Sequence, residues 1–467
     1  MARPSWHFEP RWAAILLLFF LLALLPRLYG GLTFGAGLDG PGTFQVVNYD
    51  EAGGCRAILG TFNYSSFVGH QVLAIARLTG QGPPAGPLSN REARSYCFSR
   101  PVIMLHRAYS AVTGALAVVL VGLLALMMWP TRPPIAWTAC VLLALSNLHV
   151  AWSSSGTVDA PQVFFIYLLI TLLAYGLVSR TKWPLFLSPV FLIGAIWTKW
   201  YFFAVFVYAA FVRQLASEKR TLRYSAVLVG VLGLVAFLIG WEDISGDIGH
   251  RASALLWGKE TSKFGTGYGN IGTWRRWVRN VVNLPLVHLV GLGLPACLFV
   301  WNGVRRSLAD RDNWLLWLLH APALVYAAYM VLLGPVTYYR HYLPFLPLVV
   351  LLAAYGFWES RWSKQKLFVV LFLLYPLLLT LDSGNSFRND PRRELRPWYA
   401  SHNGPKILTT YYVAPPRNAR SALFDVDAYL RYGERYLKSA DYVILSENWY
   451  DTAYPNELNG PIAWNPE

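Results

Sequence analysis

The sequence predicts an all-α polytopic membrane protein of about 11 transmembrane helices, followed by a small α/β extracytoplasmic domain. Three observations predict it. Of 467 residues, 55% are hydrophobic and only 14% are charged, against roughly 25% charged in soluble domains. Apolar runs recur almost from end to end, and several reach the roughly 20 residues that cross a bilayer as a helix. Lys and Arg collect in alternate connections between those runs, as the positive-inside rule requires.

The runs place spans at 12–29, 108–128, 134–152, 158–178, 184–198, 200–213, 224–241, 281–301, 314–333, 342–358 and 367–381. The first follows Arg3 and Arg11, has no small-residue cleavage pattern behind it, and is expected to be retained rather than removed as a signal peptide. The fifth and sixth are short and meet at Thr198-Lys199-Trp200. With the N-terminus inside, every inner connection is basic: Arg132; Arg180 and Lys182; Arg213, Lys219, Arg220 and Arg223; Arg305, Arg306 and Arg311; Arg361, Lys364 and Lys366.

This topology makes residues 1–381 a transmembrane module with outer loops at 30–107 and 242–280. Residues 382–467 then form the outer domain, with strand-like runs at 406–413 and 441–446. Outward Lys and Arg in 242–280 break the charge rule and call for an anionic ligand or a headgroup layer. Trp274-Arg275-Arg276-Trp277-Val278-Arg279 is expected to form a short amphipathic helix on the interface, near the Gly-rich stretch Gly265-Thr266-Gly267-Tyr268-Gly269.

A net charge of +15 in so apolar a chain points to membrane lipids with anionic headgroups. The basic residues form no single patch, which argues against nucleic acid. The 20 Trp and 27 Tyr suit interfacial aromatic belts. No repeat of 20–50 residues is visible. Cys140 and Cys297 fall within spans as packing residues. Cys55 and Cys97 share the first outer loop, where a disulfide and two free thiols are both open.

Three groups carry candidate chemistry. Asp50-Glu51, shortly after the first span, offers a general base or a ligand for a divalent cation; the competing reading is a solvated pair or a helix N-terminal charge. The polar break from Ser146 to Ser153 leads to Asp159, which caps a helix two residues ahead of Pro161 or joins a site. Lys199, Arg340 and His341 lie at span ends, where a charge at membrane depth is costly and so a functional candidate. Tyr338, Tyr339 and Tyr342 surround Arg340 in sequence, and Arg makes bidentate contact with phosphate. Snorkelling to the headgroups is the alternative for these cations.

These motifs occur in a particular order: Asp50-Glu51 after the first span, the Ser–Asp–Pro stretch before the fourth, Thr198-Lys199 between short spans, Tyr339-Arg340-His341-Tyr342-Leu343-Pro344 before a late span, and Asp441-Tyr442-Val443-Ile444-Leu445-Ser446 in the tail. In that order the sequence resembles the GT-C superfamily of membrane glycosyltransferases, in the protein-mannosyltransferase-like branch that includes lipid A aminoarabinose transferases.

The resemblance implies a polyprenyl-phosphate-linked sugar donor and transfer of a hexosyl or pentosyl group with inversion. The acceptor would be a hydroxyl of a lipid, glycan or protein on the outer face of a prokaryotic cell membrane. It makes Asp50 the base, with Glu51 beside it and Asp159 in the catalytic set. It makes Lys199 and Arg340 contacts to the donor phosphate, and His341, Arg56, Arg275 and Arg276 are the further basic residues expected to meet it. Asp50, Asp159, Lys199 and Arg340 are expected to surround one outward cavity.

No organic cofactor is expected, since no Walker A or dinucleotide fingerprint occurs; a divalent metal is left open. Asn48-Tyr49 and the Gly-rich Ala52-Gly53-Gly54-Cys55 depart from the branch's usual pattern. The rival reading is a transporter or flippase of lipid-linked or anionic substrates, against which stand the odd span count and the absent repeat.

Overall fold

The computed structural model is mainly helical, with one small sheet near the C-terminus. It describes residues 8–199 apart from 41, 47, 49, 62–64 and 182; residues 203–215, 223, 227, 230 and 231; residues 273–310, 314–333 and 339–402; and, within 403–444, all but 403, 410–412, 414, 417, 418 and 425–430. The expected span 224–241, apart from Val227, Gly230 and Val231, and the basic segment 242–272 lie outside the described residues.

Among the described residues, six helices are long and apolar enough to cross a membrane, or seven counting one bent pair. The chain is an integral, multi-pass membrane protein. Its centre is α5 (Arg100–Met128), packed against α1 (Pro10–Thr33), α6 (Pro133–Ala144) and α8 (Asp159–Ser179). Ala111, Ala115, Ala117, Val118, Val121 and Ala125 of α5 are buried. Small side chains let helix backbones approach closely, which is the main source of association where lipid removes the hydrophobic drive.

Two expected spans are not single helices. The run 134–152 divides into α6 and α7 (Asn147–Ser154), bent by 54°. A break in lipid is tolerated only where the freed backbone groups find partners. Here Arg27, fully buried in α1, donates to the carbonyls of Ala144 (3.1 Å) and Leu143 (3.2 Å) and meets His149 Nδ1 at 2.7 Å. The Thr380 hydroxyl donates to the Leu145 carbonyl. The Ser146 side chain accepts from the His149 N–H, capping α7.

The run 281–301 divides likewise, into α11 (Thr273–Leu292) and α12 (Leu294–Ala309), at Gly293 with φ +83°. Pro295 in the first turn of α12 cannot donate back into the preceding helix. The Trp-Arg stretch expected as a separate short helix is the opening of the 20-residue α11; the side chains of Arg275 and Arg276 lie outside the described residues.

The remaining expected spans correspond to α9 (Trp183–Lys199), α10 (Phe203–Leu215), α13 (Trp314–Leu333), α14 (Leu346–Trp358) and α15 (Lys366–Arg388). A 3-10 segment, Tyr339–Phe345, precedes α14. Before α5, the first long connection holds α2 (Gly53–Ile58), α3 (Phe67–Leu78) and α4 (Asn90–Cys97). A disulfide joins Cys55 to Cys97 across 42 positions.

The C-terminal region holds α16 (Leu395–Ser401), α17 (Glu434–Leu437) and a parallel sheet of β1 (Ile407–Thr409), β2 (Ser421–Leu423) and β3 (Tyr442–Ile444) in the order β2-β1-β3. Ile407 stands opposite both Ser421 and Tyr442. Arg393 donates to the Ala36 carbonyl (2.7 Å), and Arg396 pairs with Asp39 (2.9 Å) and donates to Gln45 Oε1 (2.9 Å). The C-terminal region thereby grips the segment that leads into Asp50.

Candidate active site

The site starts from a turn. The Asn48 side chain accepts the Asp50 N–H at 3.0 Å, and the Asn48 carbonyl accepts the Glu51 N–H at 3.1 Å. A short amide side chain favours such a turn over a strand or helix. Ala52 follows with φ +52° and starts α2. The small residues after it have a packing cause: a Cβ on Gly54 would lie 2.6 Å from the Gly69 nitrogen, so α2 and α3 meet backbone to backbone.

The turn sends two neighbouring carboxylates to different places. Glu51 is fully buried and takes a two-point contact from Arg107, with Nε at 2.7 Å and Nη2 at 2.8 Å. It also accepts the Gly156 N–H at 2.9 Å, and the Gly156 carbonyl accepts the Ala52 N–H at 3.1 Å. Arg107 Nη1 donates to the carbonyls of Gly31 (2.8 Å) and Phe34 (2.6 Å). Glu51 therefore ties four segments together: the end of α1, its own turn, α5, and the loop between α7 and α8. A side chain at position 156 would press on the His106 Cβ, 2.8 Å away.

Asp50 is 14% exposed and pairs with Arg340, 15% exposed, at 2.6 Å. The Arg340 guanidinium also lies over the Trp152 ring of α7, 5.3 Å from its centre. The 3-10 segment that carries Arg340 is anchored by tyrosines: Tyr326 donates to the His341 carbonyl (2.8 Å), Tyr167 to the Pro344 carbonyl (3.2 Å), and Tyr342 is itself buried.

A second pair lies beside the first. Lys199, at the end of α9, donates to Asp159 at the start of α8. The charges of Asp159, Arg340 and Asp50 all act on the Lys199 ammonium, which places the four groups in one cluster. The end of α9 is held by the Ser65 hydroxyl on the Trp197 carbonyl and by Phe67, whose ring lies 5.4 Å from that of Trp197. Four separate connections thus contribute one charge each.

Arg56 is buried with its guanidinium 4.9 Å from the Phe98 ring centre, beside the disulfide. His341 contributes its backbone carbonyl to the anchoring described above. Sequence reading passed over three buried polar residues: Arg27 and Arg107, which hold backbone carbonyls, and Gln162, one turn after Asp159. Each is a polar group in or beside an apolar run, the same signal that marked Lys199 and Arg340.

Among the described residues, no three His, Cys, Asp or Glu side chains converge to hold a metal ion. A cavity of about 580 Å³ lies at the far end of α14 from Arg340, lined by Arg132, Glu359, Arg361 and Lys364, and shares no residue with the cluster.

Residues 62–239 match the family described as dolichyl-phosphate-mannose-protein mannosyltransferase. No curated protein sequence matches the chain. Among solved structures, the chain is similar to the crystal structure of ArnT from Cupriavidus metallidurans bound to undecaprenyl phosphate, at 13% identity, covering 88% of this chain and 85% of that one with a TM-score of 0.49. The family match spans Asp159 and Lys199, ends short of Arg340, and over those 178 positions bears out the resemblance read from the order of the motifs.

Proposed function

We propose that the protein is a glycosyltransferase that moves a sugar from a polyprenyl-phosphate donor to a hydroxyl acceptor on the outer membrane face, with inversion. The observation that carries this reading is the cluster of two carboxylates and two cations at the span ends. The family match over 62–239 supports it.

In the resting state each cation is occupied by a carboxylate. Carboxylate and phosphate compete for the same guanidinium and ammonium geometry. An arriving donor phosphate takes Arg340 and Lys199, and Asp50 is released toward the acceptor. Asp50 then accepts the acceptor hydroxyl's proton as the oxygen attacks the anomeric carbon. The bond from that carbon to the phosphate oxygen breaks on the opposite side, which inverts the centre. Arg340 and Lys199 stabilise the charge that develops on the departing phosphate.

Glu51 is assigned a positioning role, since every contact it makes is to the frame. The prenyl tail lies along apolar helix faces. No organic cofactor takes part in these steps. A divalent cation would find Asp50 and Asp159 as ligands, each already neutralised by a basic neighbour. The Cys55–Cys97 disulfide supports an oxidising, outer location for the first loop.

The test uses the purified protein in lipid nanodiscs, supplied with radiolabelled polyprenyl-phosphate monosaccharides and a membrane extract as acceptor source. Label is expected to leave the carrier in an Asp50-dependent way. A parallel reconstitution in sealed vesicles reads the rival: carrier movement across their membrane, without label transfer in either format, would instead favour the transporter reading.

A further inference from the structure

The ion pairs leave a polar remainder unexplained. Asp159 is fully buried; one carboxylate oxygen meets Lys199, and the other, Oδ2, has no hydrogen-bond partner among the described residues. Gln162 is also fully buried, and neither its Oε1 nor its Nε2 has a partner there. The two residues are three apart on α8, so their side chains are neighbours on one helix face. That face looks toward α9: Asp159 meets Lys199, and Phe165, one turn beyond Gln162, lies under Gly194, where an added Cβ would be 2.9 Å from its ring.

Buried amides without partners are rare, because each unmet group keeps the full cost of leaving water. Three such atoms in one place indicate an occupant. Their chemistry narrows it. Two are acceptors, Asp159 Oδ2 and Gln162 Oε1, and one is a donor, Gln162 Nε2. A phosphate offers only acceptors and would face a carboxylate. A prenyl chain offers nothing to hydrogen-bond. A hydroxyl both donates and accepts, and two neighbouring hydroxyls would satisfy all three atoms.

We infer that Asp159 and Gln162 form a subsite for hydroxyl groups of the transferred sugar, with Gln162 one turn of α8 beyond the Asp159–Lys199 pair. Gln162 is then a specificity-determining residue. The subsite presupposes the transfer reaction proposed above. It divides the donor between two sets of groups: Lys199 and Arg340 recognise the carrier phosphate whatever it bears, and Gln162 recognises the sugar.

The experiment measures binding to the full-length protein in nanodiscs by native mass spectrometry. The probes are undecaprenyl phosphate and undecaprenyl-phosphate monosaccharides bearing a hexose, a pentose or an aminopentose. Wild type is expected to prefer at least one glycosylated lipid over the bare carrier. Gln162→Leu, which keeps the volume and removes the polar atoms, is expected to lose that preference by about tenfold or more, since a site built to bond a hydroxyl discriminates strongly. Its affinity for the bare carrier should stay at the wild-type level.

Gln162→Asn keeps the chemistry at shorter reach. It supplies a second variant should the Leu form fail to fold, and is expected to lose part of the preference. A Gln162→Leu or Gln162→Asn protein with unchanged preference overturns the subsite and leaves a buried water as the occupant. Equal binding of all lipids by wild type also overturns it. Failure of wild type to bind even the bare carrier defeats the transfer reading itself, and the subsite with it.

Discussion

Asp50 and Glu51 are adjacent in sequence, yet they belong to two regions built on opposite terms. Around Glu51 everything is buried and satisfied: Arg107 grips both carboxylate oxygens, and the Gly156 N–H completes the set. At the neighbouring position Asp50 and its partner Arg340 both remain partly exposed, and Trp152 supports Arg340 from the side. The first region fixes where four segments meet. The second holds charges that a ligand can reclaim. The difference teaches that burial and the number of partners, rather than residue type, separate a frame carboxylate from a reactive one.

The largest expected effect is on Asp50. Asp50→Asn should reduce sugar transfer about 100- to 10,000-fold, the usual contribution of a general base. Stability should fall less than for Glu51→Gln, since Asp50 and Arg340 keep partial access to water and Asn keeps the size of the side chain; a rate assay and thermal unfolding of the same preparation check both. Glu51→Gln should do the reverse first. It leaves the Arg107 cation buried without its counter-charge, a cost of about 3–5 kcal/mol, and activity should fall in step with the folded fraction. A Glu51→Gln protein as stable as wild type but inactive would place Glu51 with Asp50.

Next comes the disulfide. Cys55→Ser with Cys97→Ser should lower stability by about 2–4 kcal/mol while leaving the turnover of folded protein unchanged, measured by denaturant unfolding and active-site titration. Arg340→Lys keeps the charge and loses the planar fork. It should raise the donor KM roughly tenfold with little effect on acceptor KM, as steady-state kinetics in each substrate would show.

The smallest effect sits at α4. The Ser89 side chain, then its backbone N–H, holds the Glu92 carboxyl below its ordinary value. A lowered value means the capping box stabilises α4 above the ordinary carboxylate range and is lost as pH falls through the lowered one. Hydrogen exchange over Asn90–Cys97 should therefore become faster at acid pH relative to a Glu92→Gln control, whose exchange should lack that step.

Much of this was legible in the sequence, for identifiable reasons. A charge at the end of an apolar run is costly enough to stand out, which marked Lys199 and Arg340; Asp50 stood out as one of two adjacent carboxylates after the first span, and Asp159 through the polar break before Pro161. Hydropathy located the helices but not the bends: the polar break from Ser146 was visible, yet it did not show that 134–152 turns there, and 281–301 stays largely apolar through its break. The signals at the breaks were local: Ser146-Asn147 in one run and Gly293-Leu294-Pro295 in the other. Arg27 went unnoticed within the first span, although the carbonyls it satisfies, those of Leu143 and Ala144, explain how the α6–α7 bend survives in lipid. Those two carbonyls lie more than a hundred residues away, where no local pattern reaches. The roles of Asp50 and Glu51 were inseparable for the same reason: Arg107, Gly156 and Arg340 decide them, and all three are distant in sequence.

The most direct measurement sets the two neighbours side by side: label transfer from a polyprenyl-phosphate sugar, together with thermal unfolding, for wild type, Asp50→Asn and Glu51→Gln in one membrane preparation. An Asp50→Asn protein that unfolds close to wild type and transfers at least about 100-fold more slowly, beside a Glu51→Gln protein that unfolds early and keeps its turnover per folded molecule, is the predicted result. Near-normal transfer by Asp50→Asn would contradict it.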